Sequence, residues 1–249
     1  MSEITVVVLT LNEERHLPEC LQAARQVTPH LLVLDSGSTD ATVHIARSMG
    51  AQVHVRPFDT YPNQRNAALA LVDTPWVLFV DADERVTPEL AAEVQAAVRQ
   101  PDHVGWWIPR RNIIVGKWIR GGGWYPDYQL RLMRPEKARY DPAQEVHEIV
   151  MLDGSAGYLQ APLIHYNYDS WQQFWEKQRR YAVFDARVLA RKGVYPRWYT
   201  HISMPVREFW RRFVTLKGYR DGGHGLRLAV YMAWYTANVY WRLRTLHRQ

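Results

Sequence analysis

The stretch that decides the reading is "WVLFVDADERV", Trp76 to Val86. Trp76 to Val80 are apolar without alternation, the pattern of a strand buried on both faces. Directly behind them stand Asp81, Asp83 and Glu84, which an apolar core does not accept unpaired. A strand of this kind belongs inside a parallel sheet. An acidic turn at its carboxyl end then marks the edge where such sheets bind ligands.

Working outward, "EITVVVLTLN" (3–12) and "HLLVLDSGSTD" (30–40) repeat the design, a buried run that ends in a polar turn. Helical spacing follows each. In "NEERHLPECLQAARQV" (12–27), Leu17, Leu21 and Ala24 share a face, and Asn12 is read as the N-cap. A helix closed by Gly50 follows the second strand, with Thr39 and Asp40 read as its caps. "AQVHVRPF" predicts a third strand and "YPNQRNAALALV" a helix. "TPELAAEVQAAVRQ" predicts another helix, with Thr87 as cap and Pro88 in the first turn. This alternation predicts an α/β fold with a mostly parallel central sheet flanked by helices. The turns Thr10–Glu14, Asp35–Asp40 and Asp81–Glu84 then converge at its carboxyl edge.

The alternation stops after residue 100. "VGWWIPRRNIIVGKWI" and "YQLRLMRP" read as strands. "SWQQFWEKQRRYAVFDARVLARKG" reads as an amphipathic helix capped by Ser170 and ended by Gly193, with Trp171, Phe174, Trp175 and Tyr181 as its stripe. The last segment, from Leu226 to Leu243, is apolar around much of its circumference and basic at its end. Between these, "RGGGWYPD" (120–127) is expected to be a mobile loop, because three consecutive glycines restrain the backbone little. Trp124 and Tyr125 either stack on a sugar or close a core edge.

Composition sets the bounds. The chain has 249 residues, of which 47% are hydrophobic and 22% charged, as in ordinary globular proteins. Its one cysteine, Cys20, excludes an internal disulfide framework and fits a reducing compartment. The first residues lack the basic start of a signal peptide, and no apolar run is long enough to span a bilayer. The net charge of +6 is unevenly placed: residues 171–249 hold 16 Lys/Arg against 4 Asp/Glu, and residues 1–170 hold 15 against 21. An acidic body with a basic tail suits a phosphorylated substrate or an anionic membrane. Nucleic acid is the weaker option, since no RNA- or DNA-binding motif accompanies the charge.

The carboxylates Asp81 and Asp83, one residue apart at a strand end, suit Mg or Mn. Such an ion takes one or two carboxylates and completes its shell with substrate phosphates. The triplet alone does not separate sugar transfer from nucleotidyl transfer.

The segments "VVVLTLNEERHLPECL", "LLVLDSGSTDATVHIA" and "QRNAALALVDTPWVLFVDADE" resemble, in order and spacing, the family 2 glycosyltransferases of GT-A fold. The family usually reads DDGS where this chain has Asp35-Ser36-Gly37-Ser38. The resemblance implies a nucleotide pocket lined by Thr10, Asn12 and Glu13, with Asp35 on the base or ribose. It places Arg65 near the base or diphosphate and Asp81 near the sugar or ribose; the plainer reading of Arg65 is pairing with a nearby carboxylate. Asp83 is the implied metal ligand, with Asp81 and His147 as further candidates. "GGGWYPDYQLRLMRPEKARYDPAQEVHEIV" and the tail "GYRDGGHGLRLAVYMAWY" resemble a narrower group, the lipopolysaccharide core β-1,4-glucosyltransferases and relatives.

An inverting transferase of that kind needs one general base for the acceptor hydroxyl. Glu148 is the first choice and Asp127 the second. His147 ligates metal, orients the acceptor or hydrogen-bonds Glu148.

The expected enzyme moves a sugar from a nucleotide-diphosphate donor, UDP-sugar favoured, to a glycan or lipid-linked acceptor. It needs a divalent metal and works in the cytoplasm on the inner face of the cell membrane. A nucleotidyltransferase is the alternative, but "TLNEERH" lacks a Gly-rich phosphate loop. The expected division is a catalytic domain over 1–165, with 1–100 binding nucleotide and 101–165 binding acceptor. A helical extension over 166–249 would lay its last helix on lipid or on a protein partner.

Overall fold

The computed structural model describes residues 3–142 and 150–247. The chain divides into two compact units: residues 1–110 with 128–165, and residues 111–127 with 166–249. Segment 111–127, expected in the catalytic domain, thus groups with the C-terminal helices. The reason is apolar burial, because Ile114 and Ile119 enter one cluster with Phe174, Leu228 and Met232.

The first unit begins with β1 (Ile4–Thr10), α1 (Leu17–Ala24), β2 (Leu31–Asp35), α2 (Thr42–Ser48) and β3 (Gln52–Val55). It continues with α3 (Tyr61–Ala70), β4 (Trp76–Asp81), β5 (Glu84–Arg85) and α4 (Pro88–Ala97). In chain order there follow β6 (Gly105–Ile114), whose last four residues belong to the second unit, and β7 (Lys117–Trp118) in the second unit. Then come β8 (Asp127–Met133), β9 (Ala138–Tyr140), β10 (Val150–Leu152), β11 (Ala156–Tyr158) and β12 (Leu163–Tyr168), whose last three residues belong to the second unit. The main sheet runs β3-β2-β1-β4-β8-β6-β12-β5. The four strands predicted before residue 100 pair in parallel, and β8 adds antiparallel to β4.

Alternation along β1 and β4 sorts side chains to two faces, since successive residues of a strand point opposite ways. Val6, Val8, Leu78 and Val80 pack with α1 and α4 residues on one face. Val7, Val77 and Phe79 pack with Ala68, Leu69 and Tyr140 on the other. Each such side chain contributes about 1.5–3 kcal/mol by leaving water. That is why these strands read as unbroken apolar runs.

Thr87 caps α4 as expected, its hydroxyl accepting from the Leu90 amide at 3.1 Å. Asn12 does not cap α1. That helix starts at Leu17 behind His16, without a side-chain cap. Asn12 instead has a left-handed backbone, φ 57°, which lets its side chain reach across to the next loop.

The second unit is built on α5 (Trp171–Arg191), α6 (Thr200–Trp210) and α7 (Gly223–Leu246), with a π-helical turn over Arg211–Thr215. Ser170 caps α5 as expected. Its buried face is Phe174, Gln178, Ala182 and Ala186, whereas Tyr181, expected in the stripe, is exposed. The four lie at four-residue spacing: Phe174 clusters with Leu228 and Met232 of α7, Ala182 and Ala186 with Val239 and Leu243, and Gln178 donates to the Tyr168 hydroxyl.

The glycine-rich stretch is tied down rather than free of partners. Asp221 accepts from the amides of Arg120 (3.0 Å) and Gly121 (2.7 Å), and the Gly122 amide donates to Leu216 O at 2.7 Å. A side chain on Gly121 would stand 2.3 Å from the Lys217 carbonyl, so only glycine fits there. Trp124 packs at the edge of the second unit's aromatic cluster, 6.1 Å from the Phe174 ring.

Candidate functional site

At the carboxyl edge of the first unit's sheet, β2, β1 and β4 lie side by side, with Thr10 opposite Asp35 and Leu9 opposite Asp81. Three polar loops therefore start next to one another.

Two of them are laced together. The Asn12 amide donates to Ser38 Oγ (2.8 Å), and Asn12 Oδ1 accepts from the Thr39 amide (2.9 Å). The Glu13 amide donates to Thr42 Oγ1 at 2.8 Å, and the Glu14 amide to Asp40 at 3.2 Å. Asp40 also accepts from the Thr42 amide at the start of α2, so it serves the helix end and the neighbouring loop together. Thr39 is bonded to Asn12 and caps nothing.

Asp35 is fully buried and organises the second loop. Its carboxylate accepts from Thr10 Oγ1 (2.9 Å), the Gly37 amide (2.9 Å), the Ser38 amide (2.7 Å) and Ser38 Oγ (2.5 Å). Four donors occupy a carboxylate's usual acceptor capacity. Thr10, only 3% exposed, shares this inward role.

The third loop holds the charged cluster. Side-chain exposure separates its acids: 32% for Asp81, 33% for Asp83 and none for Glu84. Glu84 is buried because it is paired. It accepts from Arg131 at 3.0 Å, from Arg110 at 3.5 Å and from the Asp81 amide at 3.0 Å.

Arg131 also donates to both oxygens of Asp81, and Arg65 donates to Asp81 Oδ1 at 3.3 Å. The Arg65 guanidinium lies 5.0 Å from the Phe79 ring centroid and 5.8 Å from that of Tyr140. Burial by itself would raise the Asp81 carboxyl. Arg131 and then Arg65 reverse that and hold it well below the usual carboxylate range.

Asp83 faces a different partner. Its Oδ2 lies 3.3 Å from His165 Nε2. His165 arrives there because β12 pairs antiparallel with β5, setting His165 opposite Glu84. It was not among the sequence candidates, since nothing in its own neighbourhood, "PLIHYNY", signals a site. A carboxylate beside an imidazole suits Mn or a similar borderline ion whose remaining positions are filled by substrate oxygens. Among the described residues no three His, Cys, Asp or Glu side chains gather into a complete cage.

Glu13 is a further carboxylate of this edge. Burial first, then the charges of Asp83, Asp40 and Asp81, push its carboxyl up to about 7, and Arg85 offsets only part of that. Such an excess of negative charge is what a bound cation would relieve.

In the second unit, Asp127 accepts from Asn112 Nδ2 at 3.2 Å. His147 and Glu148, the remaining candidates, lie outside the described residues.

A family model described as glycosyl transferase family 2 matches residues 5–166, from β1 through β12. The chain belongs to that family. This glycosyltransferase is 30% identical over 252 residues to the lipopolysaccharide core biosynthesis glycosyltransferase LpsC of Rhizobium meliloti (strain 1021). That match covers 96% of this chain and 92% of the relative. The uncharacterized glycosyltransferase RT0209 of Rickettsia typhi (strain ATCC VR-144 / Wilmington) is 37% identical over 95 residues. It covers 38% of this chain and 32% of that protein.

Among solved structures, S. aureus TarS 1-349 in complex with UDP-GlcNAc aligns with a TM-score of 0.53 at 15% identity, covering 99% of this chain and 92% of that one. Glucosyl-3-phosphoglycerate synthase from Mycobacterium tuberculosis, in complex with Mn2+, UDP-glucose and phosphoglyceric acid, aligns at 0.51 with 19% identity. The shares are 78% and 80%. At these identities the likeness carries the fold, and the GT-A architecture expected from the sequence is the one observed.

Proposed function

We propose that this glycosyltransferase moves a sugar, with inversion, from a nucleoside-diphosphate donor to a hydroxyl of a lipid-linked or lipopolysaccharide-type glycan. The single observation that carries the donor half is the pairing of Asp83 with His165 beside an Asp81 already neutralised by arginine. Asp83 and His165 would hold a divalent metal, Mn or Mg, through Oδ2 and Nε2. When bound, that ion neutralises the diphosphate as it leaves. This reading puts His165 where the sequence put His147 and gives Asp81 a positioning part instead of a ligand's.

With both oxygens facing Arg131, Asp81 keeps a fixed orientation toward a sugar or ribose hydroxyl. Asn12 and Glu13 line the nucleotide pocket, and Thr10 with Asp35 sets the loop against which the base rests. Arg65, backed by Phe79 and Tyr140, faces the diphosphate. Glu148 is the first choice for the general base that takes the acceptor proton, and Asp127 the second.

The Mn2+ and UDP-sugar named in the structures of similar fold support a UDP donor and metal dependence. LpsC supports the acceptor class, and with it work at the inner face of the cell membrane.

The test is transfer itself. The chain is incubated with UDP-, GDP-, ADP-, dTDP- and CDP-hexoses and a lipopolysaccharide or lipid-linked glycan fraction, with and without Mn, and products are read by mass spectrometry. The expected result is a glycan heavier by one hexose, from a UDP-sugar, only with metal. A product carrying the nucleotide would instead establish a nucleotidyltransferase.

A further inference from the structure

The last helix was expected to lie on lipid or on a protein partner, yet α7 spends much of its apolar surface inside the second unit. Leu228, Met232, Val239 and Leu243 are buried against α5. α7 still exposes Leu226, Val230, Trp241 and Leu246, but the more exposed apolar surface is on α6. No residue of that helix is buried. Ile202 is 69% exposed, Val206 62% and Trp210 61%, and Trp198, just ahead of the helix, is 79% exposed. These positions recur every four residues, and Val214 in the π-helical turn extends the series. They form one stripe along the helix.

Beside it runs a second stripe, one residue on: Ser203, Arg207, Arg211 and Thr215, all exposed. An apolar track with tryptophans at both ends, flanked by arginines, is the pattern of a helix lying in a membrane interface.

Charge selects the occupant. Residues 195–220 carry six Lys/Arg against one acid, Glu208, which is already bonded to Arg211 and Arg212. A second copy docked through the same face would bring these arginines against their own images, which costs free energy unless anions intervene. Anionic headgroups supply those counter-charges, and the acyl region takes the apolar track.

We infer that the outer face of α6, with Trp198 and Trp210 as anchors, is the surface by which this chain docks on an anionic bilayer. The inference deepens the membrane-surface location proposed above and rests on none of the donor or metal chemistry.

The test is sedimentation of the full chain with phosphatidylcholine vesicles containing about one-third phosphatidylglycerol, beside pure phosphatidylcholine. Selective binding to the anionic vesicles is expected, weakened about tenfold or more by Ile202→Glu/Trp210→Glu and less by Arg207→Glu. Trp241→Glu on α7 should leave binding unchanged. Melting temperatures equal to the parent's show that these exposed substitutions leave the fold intact.

Loss of binding in Trp241→Glu with retention in Ile202→Glu/Trp210→Glu would overturn the assignment to α6 while keeping the membrane location. Absence of binding by the parent chain would overturn both. So would a dimer in sedimentation velocity that Ile202→Glu/Trp210→Glu dissociates while no vesicle is bound.

Discussion

Arg131 holds Asp81 by both carboxylate oxygens, Nη1 lying 3.1 Å from Oδ1, and the same guanidinium reaches Glu84 at 3.0 Å. One buried cation thus joins the end of β4, the start of β5 and the middle of β8. It explains how an acidic cluster stands directly behind an apolar strand. Two of its three acids are neutralised by arginine, which leaves Asp83 to face a ligand.

Removing that cation leaves a fully buried Glu84 short of its main partner. Arg131→Met is expected to destabilise the fold by about 3–5 kcal/mol, the usual consequence of breaking a buried pair from one side. Urea denaturation measures it. Arg131→Lys should recover only part, because an ammonium cannot span both Asp81 oxygens.

Asp35 makes a separable prediction. Asp35→Ala strands the buried Thr10 hydroxyl and takes the acceptor from the Gly37 and Ser38 amides, which lie in the more exposed part of the loop. A loss of about 1–3 kcal/mol is expected, with weakened nucleotide binding because the second loop loses its shape. Thermal denaturation and nucleotide titration read the two effects. Unchanged stability would mean that water replaces the carboxylate.

Glu13 gives a pH signature. Its carboxyl is raised in the folded chain to about 7 from an ordinary 4.5, so the folded state binds a proton that the unfolded state has released. The stability associated with that proton is complete below about pH 4.5 and is lost as pH rises toward 7. The melting temperature of the parent relative to Glu13→Gln should therefore fall across that window. A difference that stays flat, or grows with pH, would show that the carboxyl titrates normally.

Asp221 does the corresponding work in the second unit. Asp221→Ala removes the acceptor from the Arg120 and Gly121 amides, and Gly121 cannot be replaced to compensate. A loss of about 1–3 kcal/mol is expected, together with faster hydrogen exchange at those two amides.

The parallel half of the fold was legible because β1, β2 and β4 are buried on both faces, and burial on both faces writes itself as unbroken apolar runs. The loops behind them were legible as polar, but their internal bonding was not. Asn12 looks like a helix cap because its residue type fits one, and only its left-handed backbone turns it toward Thr39. His165 was invisible for a different reason. It is brought to Asp83 by pairing between β5 and β12, strands about eighty residues apart, and antiparallel register between distant strands leaves no local mark.

On α7 the apolar residues were visible but their division between core and surface was not. That depends on where α5 packs. The four-residue repeat on α6 is readable in "HISMPVREFWRRFV" (201–214), but the longer and more apolar helix behind it draws attention first.

The central claim is that Asp83 and His165 hold a metal against a nucleoside diphosphate, and thermal stability with UDP, with and without Mn, tests it most directly. At about 100 times its Kd a ligand adds about 2.7 kcal/mol, enough to move the melting point visibly. The parent chain should be stabilised by UDP only with Mn, and both Asp83→Ala and His165→Ala should lose that shift, the part-exposed Asp83→Ala while melting near the parent's temperature without ligand. A Mn-dependent shift that survives in Asp83→Ala would contradict the account.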